Sequence, residues 1–287
     1  MKSHNPERHK DKRGDREIYA EIKAIPPLVV RADGRNFKRV LSGKFEKPYD
    51  KKFAKGMAEA VKNFFVSSGF DPKLAYIFSD EISFFFEYVP FEGRIEKLDS
   101  VIAGFLASAL SIVLDFKEAI AFDARVIPVC RGENVLEYLA QRQAEAWRNH
   151  INAYGYYGLR EEGLSEKEAE KRLRGMKAGD VHEMLFQLGL NLNETPKWQR
   201  RGILIAKQMY EKEGYNPKAE KIVTAARYKI VQLWDLPLFK SEEGRDLINR
   251  LMKNSKLVVG PKGFEPLTAR YPTKKLLGGD KPWIPLL

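Results

Sequence analysis

The sequence predicts an α+β fold built on a ferredoxin-like sheet, in which strands and helices follow the order βαββαβ. Three stretches with strand composition support this order. A buried strand ends at Asp33-Gly34, an aromatic hairpin from Leu74 to Val89 turns at Asp80-Glu81, and a later strand runs from Ala121 to Val129. Because this topology places the first and third strands side by side, we expect the two acidic strand ends to meet.

Composition indicates a protein with a large core and an anionic partner. The chain has 287 residues, of which 44% are hydrophobic, and this suits one large domain or one domain with a substantial appendage. Its net charge of +11 and its isoelectric point of about 9.4 favour binding to a polyanion such as nucleic acid.

Cysteine usage and apolar run length indicate the cellular setting. One cysteine and four histidines exclude an intrachain disulfide and disfavour a structural zinc site. The longest apolar run, Val101 to Leu114, is shorter than the ~20 residues that a membrane helix needs. The N-terminal stretch is polar and charged, unlike a secretory leader. We therefore expect a cytoplasmic protein that makes no membrane contact.

The first half of the chain supplies the predicted sheet and the helices that pack on it. Leu28 to Ala32 is an apolar strand, and Gly34 lets the following backbone turn sharply or approach a ligand closely. Asp50 to Val66 has helical spacing, and we expect its apolar face in the core. Ile95 to Phe116 is a mainly apolar helix, which we expect to pack on the sheet.

Two adjacent carboxylates at the hairpin turn point to a metal site. The mutual repulsion of Asp80 and Glu81 would fall if a divalent cation lay between them. Mg²⁺ prefers hard oxygen ligands and is often held by one or two carboxylates plus substrate phosphates. With Asp33 on the neighbouring strand end, the site could hold two ions about 3.5–4 Å apart, as in in-line phosphoryl chemistry. The alternative is a solvated acidic hairpin.

Cations lie beside the predicted metal site. The loop from Arg35 to Asp50 carries Arg35, Lys38, Arg39, Lys44 and Lys47. A triphosphate needs both metal and Lys or Arg partners, so this loop indicates nucleotide binding. The alternative is a solvated basic loop.

The second half predicts helices followed by a closing strand. Residues 134 to about 154 form a long helix, which Gly155 to Gly163 is expected to break. Ser165-Glu-Lys-Glu168 is a capping box that opens another helix. A basic cluster beside Trp198 could bind phosphate and stack a base; alternatively, Trp198 anchors the helical region. Shorter predicted elements are a helical piece from Val181 to Leu188, a strand from Ile203 to Ala206 and a helix from Glu242 to Met252.

Six short motifs follow one another along the chain between about Gly14 and Lys207. They are Arg31-Ala-Asp33-Gly34-Arg35-Asn-Phe37, Lys47-Pro-Tyr-Asp50, Tyr76-Ile-Phe-Ser79-Asp80-Glu81-Ile-Ser83-Phe, Phe122-Asp123-Ala-Arg125, Tyr138-Leu-Ala-Gln-Arg142-Gln143, and Gly189-Leu-Asn191-Leu-Asn193 followed by Arg201-Gly202. In this order the set resembles the tRNA-histidine guanylyltransferase superfamily. Each motif is short, but the ordered set is highly specific.

The resemblance implies a polymerase-palm core that works with two Mg²⁺ ions. Asp33 and Asp80 would be the carboxylate ligands, the carbonyl of Gly34 would assist them, and Glu81 would be an outer or alternate ligand. Catalysis is thereby assigned to Asp33, Asp80 and Glu81. The nucleotide substrate, ATP or GTP, would be bound by Gly34, Arg35, Asn36, Phe37, Lys38, Lys47, Asp50 and Ser79.

The resemblance also implies tRNA as the partner, held across the subunits of a homotetramer. We expect tRNA contacts from Arg142, Arg148, Asn149, His150, Asn191, Asn193, Arg200 and Arg201. The corresponding division is a basic flexible tail (1–16), a palm catalytic core (17–132), a helical part with the closing strand (133–207) and a C-terminal extension (208–287).

Two reactions occur among proteins of this kind. One branch adds a guanylate to the 5′ end of histidine tRNA, and the other repairs 5′-truncated tRNAs by templated 3′–5′ addition. The first branch typically carries His-Ile-Asn-Asn-Leu-Tyr-Asn near the end of the long helix, where this chain has Arg148-Asn-His-Ile-Asn-Ala-Tyr154. Lys38 also replaces the usual His. We therefore predict templated repair after ATP- or GTP-dependent activation, with guanylate addition to histidine tRNA as the alternative.

Two functions outside this superfamily stay open as further alternatives. A palm-type nucleotidyl cyclase also pairs a strand-end Asp with an acidic hairpin, but this chain lacks a Gly-Gly before Asp80-Glu81. A non-catalytic RNA-binding module is the other, and the presence of Asp33, Asp80 and Glu81 together argues against it.

Overall fold

The computed structural model describes residues 17–129, 135–216 and 220–253. The predicted basic tail (1–16) and residues 254–287 of the predicted extension lie outside these described residues. Within them, the strands are β1 Leu28–Arg35, β2 Leu74–Phe78, β3 Glu81–Phe86, β4 Ala121–Pro128, β5 Ile203–Asn216 and β6 Lys221–Leu233.

The sheet confirms the ferredoxin-like prediction at its centre. Its strand order is β4-β1-β3-β2-β5-β6, and every neighbouring pair is antiparallel. The first four strands follow the predicted βαββαβ connectivity. As expected, β1 and β3 are neighbours, and Asp33 is the cross-strand partner of Glu81.

Helices cover both faces of the sheet. In the described part of the chain they are α1 Phe37–Val40, α2 Lys51–Ser67, α3 Ile95–Leu114, α4 Val135–Glu161, α5 Glu166–Leu173, α6 Ala178–Gln187, α7 Lys197–Arg201 and α8 Glu242–Lys253. Alternate strand residues face opposite sides: Val30 and Phe84 meet α2 and α3, whereas Val29 and Phe85 meet α4 and α8. The predicted capping box at Ser165 is present at the start of α5.

Helix α3 is long and strongly apolar. Its 20 residues have a mean hydropathy of 1.7, so by length and composition alone it could cross a membrane. The apolar run from Val101 to Leu114 lies within this longer helix. The helix nevertheless packs against the sheet, because Leu98, Ile102, Leu106 and Leu110 are fully buried in the core. Core helices of this kind pass the same length test.

Helix α4 continues where the sequence predicts a break. It runs to Glu161, through Gly155 and Gly158. These glycines let α6 approach α4 closely: a Cβ on Gly155 would lie 2.8 Å from Val181 Cγ1, and one on Gly158 would lie 3.0 Å from Leu185 Cδ2. Here the tertiary contact outweighs the low helix propensity of glycine.

The closing strand is much longer than the predicted Ile203 to Ala206. β5 extends to Asn216 and pairs with β6 as a long hairpin. Beyond Ala206 most of its side chains are exposed, so the sequence there lacks the apolar alternation that marks a half-buried strand. The expected boundary at 207/208 therefore falls inside a continuous strand.

Candidate active site

Three carboxylates form a row across one end of the sheet. Asp123 on β4, Asp33 on β1 and Glu81 on β3 are direct cross-strand partners. Partners in an antiparallel pair point to the same face. Ala32 is buried in the core under α2 and α3, so Asp33 and its two partners face α4.

A fourth carboxylate, Asp80, lies in the tight turn between β2 and β3. Ser79 has a left-handed φ of 52° in this turn, and the Gly34 N–H donates to the Asp80 carbonyl at 3.1 Å. A Cβ on Gly34 would lie 2.9 Å from Asp80 Oδ2 and 2.7 Å from the Phe37 ring. Only glycine therefore allows β1 to approach the acidic turn this closely.

The Asp33 and Asp80 carboxylates repel each other without a cation. Burial, and then the charge of Asp33, raises the pKa of Asp80 to about 6. Burial, and then the charge of Asp123, raises the pKa of Asp33. A divalent cation would relieve this repulsion, and carboxylates beside a backbone carbonyl are ligands that suit Mg²⁺. These residues thus fit the expected metal.

The other two carboxylates of the row, Glu81 and Asp123, each accept hydrogen bonds from an arginine. Arg142 on α4 donates twice to Glu81, from Nε to Oε1 at 2.8 Å and from Nη2 to Oε2 at 2.5 Å. Arg125 Nη2 donates to Asp123 Oδ1 at 2.6 Å. Among the described residues, Asp33 and Asp80 form no ion pair, and no group of three His, Cys, Asp or Glu side chains is arranged to hold a metal.

A cleft beside the acidic turn contains three of the predicted nucleotide-binding residues. Lys47, Asp50 and Ser79 line it, together with Tyr49 and Trp198. The cleft thus combines cationic, hydroxyl and aromatic groups, which suit the phosphates and the base of a nucleotide.

Asp50 fixes the loop that carries Lys47. As the N-cap of α2, its carboxylate accepts from the N–H of Phe53 at 2.8 Å and from the N–H of Glu46 at 2.9 Å. Burial lowers the pKa of Lys47, and the negative charges of Asp80 and Asp50 oppose this shift. The ammonium group therefore faces the acidic site from a loop that Asp50 holds in place.

The predicted nucleotide residues on the turn after β1 differ in accessibility. Asn36 has a left-handed φ of 60°, which starts the turn into α1. Phe37 is 2% exposed and packs edge-on against Phe122, so its ring belongs to the core. Arg35 and Lys38 are exposed and are available to a phosphate.

An aromatic cluster behind the cleft escaped the sequence analysis. His150 is fully buried, with ring centroids 5.5 Å from Tyr49, 4.7 Å from Tyr154 and 5.6 Å from Trp147. Burial, and then the charge of Arg200, lowers the pKa of His150 to about 4, so the imidazole is neutral near pH 7. Trp147, His150 and Tyr154 have the spacing of residues on one helix face, and this pattern indicates that their rings lie together.

Three of the side chains proposed for tRNA contact are engaged inside the protein. Arg142 binds Glu81, and His150 belongs to the aromatic cluster. Arg201 Nη1 donates to the Leu236 carbonyl at 2.9 Å. Arg200 differs from these three, because its buried Nε has no hydrogen-bond partner among the described residues. Their contact with tRNA stays a prediction.

The remaining proposed tRNA residues lie nearer the surface. Arg148 and Asn149 are exposed on α4, and Asn149 lines a second cleft beside Asp33 and Asp80. Asn193 is exposed, while Asn191 caps a short turn by accepting from the Asn193 N–H at 3.1 Å. The structure thus brings Asn149, but not the 191–193 turn, to the acidic site.

The palm-like sheet, the Asp33 and Asp80 carboxylates at neighbouring strand ends and the adjacent cleft lined by Lys47 and Ser79 fit a nucleotidyltransferase. Residues 14–130 match the family model described as tRNAHis guanylyltransferase, and residues 133–234 match the model described as Thg1 C terminal domain. This chain belongs to the tRNA-histidine guanylyltransferase family.

Named relatives and solved structures agree with this assignment. The probable tRNA(His) guanylyltransferase of Drosophila melanogaster is 32% identical over 63% of this chain and 67% of its own length. The tRNA(His) guanylyltransferase of Debaryomyces hansenii is 31% identical over 65% and 76%.

Two crystal-structure comparisons extend the likeness to three dimensions. The tRNA(His) guanylyltransferase of Saccharomyces cerevisiae is 27% identical, with a TM-score of 0.57 over 65% of this chain and 89% of that chain. A bacterial Thg1-like protein in complex with GTP is 25% identical, with a TM-score of 0.61 over 84% and 99%. The match to the bacterial protein covers more of this chain and extends past residue 207, as does the second family model.

Proposed function

We propose that this protein adds a guanylate to the 5′ end of histidine tRNA, with Mg²⁺ as the metal and ATP or GTP activating the 5′ phosphate. The observation that carries the proposal is the pair of carboxylates, Asp33 and Asp80, which form no ion pair within the described part of the chain and lie beside a cleft lined by Lys47 and Ser79. The relatives named above are tRNA(His) guanylyltransferases, and the bacterial Thg1-like protein binds GTP.

The residues around the carboxylate pair divide the work in this proposal. Asp33, Asp80 and the Gly34 carbonyl would hold the metal. A bound Mg²⁺ would supply a lower pKa for the 3′-hydroxyl of the incoming nucleotide and would offset charge on the leaving phosphate. Lys47 faces the same site and, with exposed Arg35, binds the triphosphate.

Carboxylate variants test the proposal directly. Asp33→Ala and Asp80→Ala should each abolish incorporation of labelled GTP into histidine tRNA at ordinary Mg²⁺. Their melting temperatures should equal or exceed that of the unmodified protein, because each change removes one of two repelling charges. Asp246→Ala, at an exposed position of α8, is the matched control and should keep its activity. Undiminished turnover by either active-site variant would refute the two-carboxylate site.

A second candidate function is the templated repair that the sequence predicts. Asn149 and Ala153 line the cleft that also holds Asp33 and Asp80, and both belong to the helix segment that departs from the histidine-branch motif. The discriminating assay uses a 5′-truncated, non-histidine tRNA with the template base varied. Addition that follows the template base would favour repair; addition of G alone, restricted to histidine tRNA, favours guanylate transfer.

Several expectations from the sequence stay predictions beside this proposal. They are the homotetramer, the cytoplasmic location without membrane contact, and the division at 16, 132 and 207. Sedimentation of the protein with and without tRNA measures the first. The cyclase and the non-catalytic module find no counterpart among the relatives named above.

A further inference from the structure

We infer that Arg125 and Arg142 are positioning residues that hold Asp123 and Glu81 away from the metal, so that only Asp33 and Asp80 supply carboxylate ligands. The inference rests on the proposed function for the presence of a metal. It concerns, however, side chains whose contacts are visible without one.

The backbone alone does not select the ligands. Asp123, Asp33 and Glu81 are adjacent cross-strand partners on one sheet face, so the sheet offers all three carboxylates to the same region. Like charges directly opposite each other destabilise a strand pair, so the row needs compensation. What distinguishes the three residues is their partners.

Glu81 is held at both oxygens. The Arg142 fork takes Oε1 and Oε2, and Arg31 Nε lies 3.9 Å from Oε2. The side chains of Glu81 and Arg142 are only 13% and 18% exposed. To bind a metal, Glu81 would have to give up two charge-assisted hydrogen bonds and leave a largely buried guanidinium unpaired, which is strongly unfavourable.

Asp123 is held by a neighbour on its own strand. Arg125 lies two residues further along β4, on the same face, and donates at 2.6 Å. These side chains are about half exposed, at 48% and 52%, so this restraint is weaker than the one on Glu81. Asp33, between the two, has no ion-pair partner among the described residues.

This selection has a consequence for the substrate. A metal bound by two carboxylates and a carbonyl keeps coordination positions free, and Mg²⁺ sites of this kind fill them with water and substrate phosphates. Additional carboxylates would occupy those positions. The arginines thereby leave room for the nucleotide on the metal.

Mn²⁺ binding to the protein without tRNA, followed by the loss of the free-ion EPR signal, tests the inference. Glu81→Gln should leave the Mn²⁺ affinity nearly unchanged in the unmodified background. In the Arg142→Ala background the same change should weaken binding by about tenfold, because the released Glu81 has become a ligand. If Arg142 acted only through its charge, Glu81→Gln would have equal effects in both backgrounds, and the inference would be overturned.

A second pair covers the case that Arg142→Ala does not fold. Asp123→Asn should matter for Mn²⁺ affinity only in the Arg125→Ala background, and this exposed pair can be removed with little structural cost. Arg160→Ala, further along α4, is the control and should change neither affinity nor coupling. Asp33→Asn should abolish binding; retained Mn²⁺ affinity in that variant overturns the inference.

Failure of the inference is separable from failure of the proposed function. Nucleotide addition to tRNA is measured independently on the unmodified protein. Equal effects in the Mn²⁺ cycles with normal addition refute the arginine roles alone, whereas coupled cycles without addition refute the proposed reaction alone.

Discussion

The close approach of β1 to the acidic turn requires a glycine at position 34. The φ angle of Gly34 is not left-handed, so backbone conformation does not require glycine here. The reason is steric, because the Phe37 ring and Asp80 Oδ2 occupy the volume that a Cβ would fill. A single methyl group would therefore separate β1 from the acidic turn by a few tenths of an ångström or more. A misplacement of about 1 Å can lower a reaction rate by about 100-fold.

Gly34→Ala is accordingly expected to lower the rate of nucleotide addition by about 100-fold, through displacement of Asp80. Steady-state incorporation into tRNA measures the effect. Gly104→Ala is the matched control, because a Cβ at that position of α3 meets nothing within 4 Å. Equal activity of the two variants would show that the close approach is dispensable.

Asp99 carries a buried carboxylate oxygen without a hydrogen-bond partner in the described structure. Burial raises its pKa to about 6, from an ordinary value of 3.8. The folded protein therefore holds this proton more tightly than the unfolded chain does. The contribution to stability is present below pH 3.8 and is lost as the pH rises through about 6.

Asp99→Asn should thus raise the free energy of unfolding by about 1 kcal/mol at pH 8, because it removes a poorly solvated charge, and should have little effect at pH 3. Urea unfolding at the two pH values measures the difference. Asp246→Asn on the surface should show no such pH dependence. A stabilisation of Asp99→Asn that is larger at pH 3 would contradict the assignment.

At the scale of elements, Gln143 ties α4 to the segments that flank the β5–β6 hairpin. Buried Gln143 donates to the carbonyls of Arg201, at 3.3 Å, and Pro237, at 3.1 Å, and accepts from the Phe239 N–H at 2.8 Å. One amide thereby satisfies backbone groups from the segments before β5 and after β6. The helix that positions Arg142 is itself fixed by the next residue.

Gln143→Ala should lower the free energy of unfolding by about 1–3 kcal/mol, because it removes the partner of the buried Phe239 N–H and of the Pro237 carbonyl. The Arg201 carbonyl keeps its hydrogen bond from the Tyr76 hydroxyl, at 3.0 Å. Chemical denaturation measures this loss. Gln187→Ala removes an amide that bonds only to Glu183 on the surface, and should change stability by less than about 0.5 kcal/mol. Comparable losses in both variants would mean that the Gln143 contacts carry no special weight.

The sequence predicts strands well where both faces are buried, because the strand is then a short continuous apolar run bounded by turn residues. β1 and the Leu74–Val89 hairpin have apolar cores flanked by turn residues, and both are confirmed. The β5–β6 hairpin was missed because most of its outer side chains are exposed, which erases the period-two pattern. The extent of α4 was missed because Gly155 and Gly158 act through contacts with a helix that comes later in the chain.

At the scale of the whole molecule, topology was more predictable than contacts. The order of elements is a local property, and it correctly implied that β1 and β3 are neighbours, with Asp33 near the acidic turn. The Arg142–Glu81 pair joins residues that are 61 positions apart in the sequence, and no local sequence pattern predicts this contact. Long-range side-chain pairing needs the packed structure.

The net charge of +11 belongs to the molecule as a whole, and it sets an expectation for tRNA binding. Phosphate contacts release counterions, so the logarithm of the affinity should fall linearly with the logarithm of the salt concentration, by about 0.7–0.9 per contact. Filter binding between 50 and 200 mM salt, roughly, measures the slope. ATP, with few phosphates, should show a much shallower dependence; a flat tRNA curve would exclude an electrostatic grip.

The register of β1 ties folding to activity. Side chains alternate along a strand, so a slip by one residue would turn Asp33 into the core beneath α2 and expose Ala32 instead. The same slip would bury Arg31 and remove Val30 from its apolar neighbours. We therefore expect a chain that pairs incorrectly here to be both unstable and inactive.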